Sequence, residues 1–171
     1  MRHLNFDRLL ILSIGFLLLF TSFGVSQGLA AKVLEDNDFG ELGFYSLALL
    51  YVFFGIAAFL STPVVNKLGE RMSLVVGSLC YALYVATFIL AAFRNENPDS
   101  TSWILNKQLI AWLILITAAI NGFGAGILWV AEGKYISDCA NDSNKGYFNG
   151  FFFMFYMSYA IVGNLCSAFV I

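Results

Sequence analysis

The chain has 171 residues, 60% of them hydrophobic, 17% aromatic and only 12% charged, with a mean hydropathy of +0.79. Soluble domains carry about 25% charged residues, so this composition excludes an ordinary water-soluble fold, and its 18 Phe, 8 Tyr and 3 Trp exclude disorder. A net charge of -2 offers nucleic acid no basic face, and none is expected as a partner.

All nine basic and eleven acidic residues fall outside five apolar stretches, at about 9–31, 43–65, 72–93, 109–131 and 147–171. Each exceeds the roughly 20 residues that a helix needs to cross a hydrocarbon core of about 30 Å. An unpaired backbone amide in lipid costs several kcal/mol, so spanning segments are helices or closed barrels. The run Phe151-Phe152-Phe153-Met154-Phe155-Tyr156 lacks the polar and apolar alternation of a barrel strand. The expected fold is all-α: a polytopic membrane helix bundle with five transmembrane helices in a single membrane domain, 1–171.

The first stretch follows Arg2 and Arg8 and ends in the small residues Gly28-Leu29-Ala30-Ala31, as a cleaved signal peptide would. Its apolar region is longer than the 7 to 15 residues, roughly, of such peptides, so it is read as a retained helix. Its outer half holds Thr21, Ser22, Ser26 and Gln27, which need hydrogen-bond partners either between helices or as the polar lining of a central cavity.

The connection after the second stretch, Asn66-Lys67-Leu68-Gly69-Glu70-Arg71, must turn tightly. It is either a helix-end anchor or a cytoplasmic latch built on Lys67, Gly69 and Arg71. In the fourth stretch the run Asn121-Gly122-Phe123-Gly124-Ala125-Gly126 lies within an apolar span and not between a strand and a helix, which removes a nucleotide-binding reading. Ala118, Gly122 and Gly126 instead make a small-residue stripe for close helix contact, and Gly146 with Gly150, and Gly55 beside Ala57 and Ala58, are read the same way. At the end of this stretch Trp129, Glu132 and Tyr135 form either an interfacial belt with a solvated Glu132 or a cavity in which Glu132 becomes a coupling or partner site.

No ionisable side chain lies well inside a stretch, which argues against a proton-driven pump. There is no Ser, His and Asp arrangement, no paired carboxylate in a cleft and no His or Cys metal spacing, so neither an enzyme nor a cofactor is expected. Cys80, Cys139 and Cys166 are read as free thiols. Counting basic residues on alternate sides gives Arg2, Arg8, Lys67, Arg71, Lys134 and Lys145 against Lys32, Arg94 and Lys107, which predicts a cytoplasmic amino terminus, with Ile171 opposite. Asn141-Asp142-Ser143 has the form of a glycan acceptor, but this topology places it in the cytoplasm and predicts no glycan.

Several motifs together resemble the Unc-ninety-three-like ion-channel regulatory proteins, a branch of the major facilitator superfamily. They are Phe20-Thr21 with Gln27 and Leu29; Leu42-Gly43-Phe44 with Ser46-Leu47 and Tyr51; Pro63 and Gly69; Gly124 through Tyr135; and Gly150 with Gly163-Asn164-Leu165. The family usually carries Gln where this chain has Glu132, and the Asp-Arg pair of the superfamily's loop signature is missing between the second and third stretches. The resemblance implies a fold of two six-helix halves, of which this chain would hold the first five helices of the amino-terminal half, so either the sequence is partial or partner chains supply the rest. It also implies a membrane protein that modulates or escorts a channel or receptor, with the lipid bilayer and a membrane-protein partner around it. The alternatives are a fragment of a secondary transporter with Thr21, Gln27 and Trp129 near the pathway, and a structural subunit of a larger membrane assembly. Thr21, Gln27, Trp129, Glu132, Tyr135 and Asn164 are the candidate cavity or partner contacts.

Overall fold

The computed structural model describes residues 2–34, 39–97 and 102–170. They form five helices, α1 (Arg2–Leu34), α2 (Leu42–Leu68), α3 (Glu70–Glu96), α4 (Lys107–Cys139) and α5 (Lys145–Val170), with one 3-10 turn at Trp103–Leu105 before α4. Each expected stretch lies within one of these helices as far as Val170, and the expectation for Ile171 falls outside the described residues. The helices run past the apolar stretches because charged residues tolerate helical backbone once they reach water. The 33 residues of α4 are about 50 Å long, more than a hydrocarbon core requires. Four segments are long and apolar enough to cross a membrane: Asn5–Gly28, Leu42–Leu68, Glu70–Glu96 and Lys107–Cys139. The fifth helix, 26 residues long, packs along α1.

Sharp local signals end these elements. Gly69 takes φ +80, a left-handed conformation that glycine adopts without a Cβ clash, so α2 stops and α3 starts with a single residue between them. Asn106 caps α4 by accepting from the backbone N–H of Gln108 at 2.9 Å and of Leu109 at 3.4 Å. Asn141 Oδ1 accepts from Ser143 N, Asn144 N and Ser143 Oγ, which closes the turn into α5. At the other end, the Arg94 guanidinium donates to the Leu105 carbonyl and ties α3 to the 3-10 turn.

The helices bury a core of apolar and aromatic side chains such as Phe16, Leu50, Tyr84, Ile114 and Phe152, but the surface is apolar too and several polar residues lie inside. Phe59, Ile11, Leu18 and Tyr45 are exposed, while Ser13, Ser46, Ser61, Ser73, Thr87, Thr117, Asn121 and Glu132 are buried. Lipid is as apolar as Leu, so large apolar side chains gain nothing by leaving it, and small and polar residues collect where helices touch. Ser13, Ser61 and Ser73 donate to the carbonyls of Leu9, Ala57 and Gly69 one turn earlier. Two hydroxyl contacts cross between helices: Ser46 Oγ to Tyr84 OH at 2.9 Å, and Thr87 Oγ1 to Thr117 Oγ1 at 3.3 Å.

α4 packs most extensively, against α2 on one side and α3 on the other, while α1 lies chiefly along α5. The pairing of α4 with α2 and of α1 with α5 is what nested, inverted three-helix repeats produce. On α4, Gly122 meets Leu50, Phe53 and Phe54 of α2, and a Cβ at Gly126 would lie 2.6 Å from that of Ala57. On the other face, a Cβ at Gly77 of α3 would lie 2.7 Å from Leu128 Cβ and 2.9 Å from the Gly124 carbonyl, and Gly124 itself abuts Cys80. Gly122 and Gly126 are therefore packing glycines, and Gly77 and Gly124 make a second close contact that spacing had not indicated. Among the described residues Gly55, Gly146 and Gly150 have no packing neighbour: all three are exposed, with no heavy atom within 4 Å of an added Cβ. They occupy helix faces that no neighbouring described helix approaches.

Replacing Gly126 by Val should lower stability by about 1–3 kcal/mol, because the side chain overpacks against the α2 backbone. Gly150→Ala should leave stability level or raise it, by up to about 1 kcal/mol of helix propensity. Thermal unfolding of both variants in detergent, followed by circular dichroism, checks this, and equal effects would contradict the contact pattern.

Candidate functional site

A cavity of about 280 Å³ opens among all five helices. Phe20, Phe23 and Gln27 of α1 form one wall, Leu50, Tyr51 and Phe54 of α2 another, and Tyr81 of α3, Trp129 of α4 and Tyr156 and Tyr159 of α5 complete it, with Gly24 and Ala125 as the small residues. Eight of these twelve residues are aromatic. The rings interlock edge to face: Trp129 and Tyr156 have centroids 5.0 Å apart at 88°, Phe20 and Tyr156 5.0 Å at 89°, and Phe23 and Tyr81 5.0 Å at 84°. Such pairs contribute about 0.5–1.5 kcal/mol each beyond their buried area and hold the rings in fixed orientations.

The polar content of the wall comes from hydroxyls and one amide. The Trp129 indole interacts with the Tyr81 hydroxyl, and Tyr156 with Tyr159. Gln27 lies beside the Tyr84 hydroxyl, close enough to interact with it, although its buried Nε2 makes no hydrogen bond of normal geometry. One turn before the cavity-lining Ala125, Asn121 of α4 is fully buried, and neither Oδ1 nor Nδ2 has a partner. A buried unsatisfied amide group costs about 1–3 kcal/mol.

The candidate residues separate into distinct groups. Gln27 and Trp129 line the cavity. Thr21 does not: its Oγ1 is buried without a partner, and its carbonyl lies 3.9 Å from a Cβ built at Gly163 of α5. Glu132, three positions beyond Trp129, is 5% exposed and makes no side-chain hydrogen bond or ion pair among the described residues. It lies about nine residues, or roughly 14 Å, from the midpoint of α4, near the edge of a hydrocarbon core but covered by protein. Tyr135 is half-buried against the apolar core, and Asn164 is exposed on α5 outside the cavity.

Lys67 and Arg71 are both exposed. Lys67 makes no hydrogen bond or ion pair among the described residues, and Arg71 acts only at a distance, on Cys139. The inter-helix links at this end are elsewhere: Lys134 Nζ donates to Asn66 Oδ1 at 3.1 Å, and Asn5 Nδ2 to the Cys139 carbonyl at 3.1 Å, where it satisfies a carbonyl of the last turn of α4. Tyr81 and Tyr156 line the cavity and are not singled out by the sequence reading, nor is the buried Asn121 beside it. A signal was present in the aromatic pairs at helical spacing, Tyr81 with Tyr84 and Tyr156 with Tyr159, which put hydroxyl-bearing rings on one face of α3 and of α5.

Five apolar helices around a central cavity, with inverted-repeat pairing, describe half of a facilitator-type membrane protein. The model of the Major Facilitator Superfamily matches residues 11–171, and the chain belongs to that superfamily, in its UNC93-like branch. It is 32% identical over 168 residues to UNC93-like protein 3 of Arabidopsis thaliana, covering 92% of this chain and 31% of that protein. Protein unc-93 homolog A of Bos taurus is 31% identical over 179 residues, covering 97% and 34%, and UNC93-like protein MFSD11 of Xenopus tropicalis is 28% identical over 160 residues, covering 92% and 32%. The chain thus spans about a third of the length of these relatives. No solved structure matches it.

Replacing Asn121 by the similarly sized, apolar Leu should raise stability by about 1–3 kcal/mol, because it removes two unsatisfied polar atoms from the interior. Thermal unfolding in detergent checks this, and a loss of stability would show that the amide is satisfied in the folded protein.

Proposed function

We propose that this chain is part of an integral membrane protein that modulates or escorts a membrane channel or receptor and is not itself an enzyme. The carrying observation is the chemistry of the cavity wall. Its lining residues include no carboxylate, imidazole or cation, so the wall offers no charged group through which solute movement could be coupled to a proton or ion gradient. Membership of the UNC93-like branch supports the same reading. The partners are the bilayer and a membrane protein, or a second half, that covers helix faces left bare here, such as the one carrying Phe59 and Leu60 of α2. The amino terminus lies on the cytoplasmic side, where six of the nine basic residues collect.

A second reading, part of a secondary transporter, is favoured by the position of Gln27 and Trp129 on the cavity wall. Solute flux by the full-length protein that falls on Gln27→Ala and Trp129→Ala would favour it over the regulatory reading.

Affinity capture of the full-length protein in mild detergent should recover a channel or receptor in stoichiometric amount, and recovery without any membrane partner would overturn the regulatory reading. The same preparation tests the topology. Endoglycosidase should leave the mobility of the Asn141 segment unchanged, whereas a glycan there would reverse the orientation.

A further inference from the structure

We propose that the 3-10 turn Trp103–Leu105, between α3 and α4, is a membrane anchor whose partner is the lipid interface, with the Trp103 and Ile104 side chains set among the ester groups and upper acyl chains. The proposal needs only the bilayer setting and holds for either orientation of the chain, so it depends on neither the escort nor the transport reading. Among the described residues Trp103 is 75% exposed and Ile104 44%. The turn that carries them is braced. The Arg94 guanidinium of α3 donates to the Leu105 carbonyl, Leu105 N donates to the Ser102 carbonyl at 3.0 Å and Asn106 N to the Trp103 carbonyl at 3.2 Å. Directly behind it the Asn106 side chain caps α4. Two bulky apolar side chains are therefore held outward at a fixed place on the bundle.

Their depth points to lipid. The apolar stretch of α3 ends at Phe93 and that of α4 starts at Leu109, so Trp103 and Ile104 sit just past the ends of two membrane-spanning segments. This is the level at which Trp concentrates, because its ring is apolar while its N–H finds ester and water oxygens. Exposed Trp112 lies about 8 Å further along α4, towards the hydrocarbon, and exposed Lys107 lies at the level of the phosphates. The connection from α4 to α5 has the opposite chemistry: Asn141, Asp142 and Ser143 are exposed and polar, as suits a turn in water. A protein partner of ordinary size covers about 800 Å² on each side, far more than two side chains on a three-residue turn present. Anchoring also sets the register of α4 in the membrane. The helix is about 50 Å long against a hydrocarbon core of about 30 Å, so with its first turn held at one interface the surplus extends past the other, carrying Lys134, Asp138 and Cys139.

The test uses the full-length protein reconstituted into phosphatidylcholine vesicles, so that every part of the protein able to cover the turn is present. With p-benzoylphenylalanine in place of Trp103, irradiation followed by mass spectrometry of the peptides should find phospholipid attached at position 103. The same replacement of Asp142, on the polar turn, should find none. Depth is read from the part of the tryptophan emission that Trp103→Phe removes, in vesicles whose lipids are brominated either near the head group or near the chain end. That part should be quenched more strongly by the first lipid than by the second. Cross-linking of position 103 to another segment of the protein or to a second chain would give the turn a protein partner and overturn the proposal. Equal lipid attachment at positions 103 and 142 would overturn it too, as would a Trp103 emission that neither lipid quenches in protein whose circular dichroism shows it folded.

Discussion

The close approach of α4 to its neighbours is the contact on which the other helix positions depend. Hydrophobic burial cannot drive helices together in a bilayer, so association rests on packing, and packing improves steeply as backbones come closer. Gly122 and Gly126 let α2 approach from one side, and Gly77 and Gly124 let α3 approach from the other. With α2 and α3 fixed on α4, the hydroxyl contacts Ser46 to Tyr84 and Thr87 to Thr117 fall within reach. They add register to a sandwich that the glycines have already closed.

The aromatic cluster solves the opposite problem. Where α4 faces α1 and α5 the small residues give way to Trp129, and the gap is filled by rings from four helices instead of by backbone contact. The cavity lies among these rings. The mode of packing thus changes across α4, close on the α2 and α3 side and open on the α1 and α5 side, and this change places the cavity in the middle of the bundle.

The polar groups left unpaired among the described residues are spread along the bundle, Thr21 lying on the α1–α5 contact. Gln27 is on the cavity wall, Asn121 one turn from Ala125 on that wall, and Glu132 three positions beyond Trp129. Glu132 stands apart, because it is a carboxyl at a position where the family resemblance implies an amide. It gives this chain an ionisable group inside the protein without placing one on the cavity wall itself.

The sequence by itself determined the membrane setting, the number and order of the helices and the turn at Gly69, because each follows from a local rule: apolar run length against bilayer thickness, and a backbone conformation that favours glycine. It also singled out Gln27, Trp129 and the Gly122 and Gly126 face, since composition within a helix marks what is unusual in lipid. Only the tertiary structure decided which faces meet. Among the described residues Gly150 shares the spacing pattern of Gly126 but has no heavy atom within 4 Å of an added Cβ, Asn164 is exposed on α5, and Glu132, for which the sequence leaves a belt and a cavity open, is buried. Helical periodicity fixes which residues share a face but not which neighbour, if any, that face receives. The cavity, assembled from five helices far apart in sequence, is a property of that choice alone.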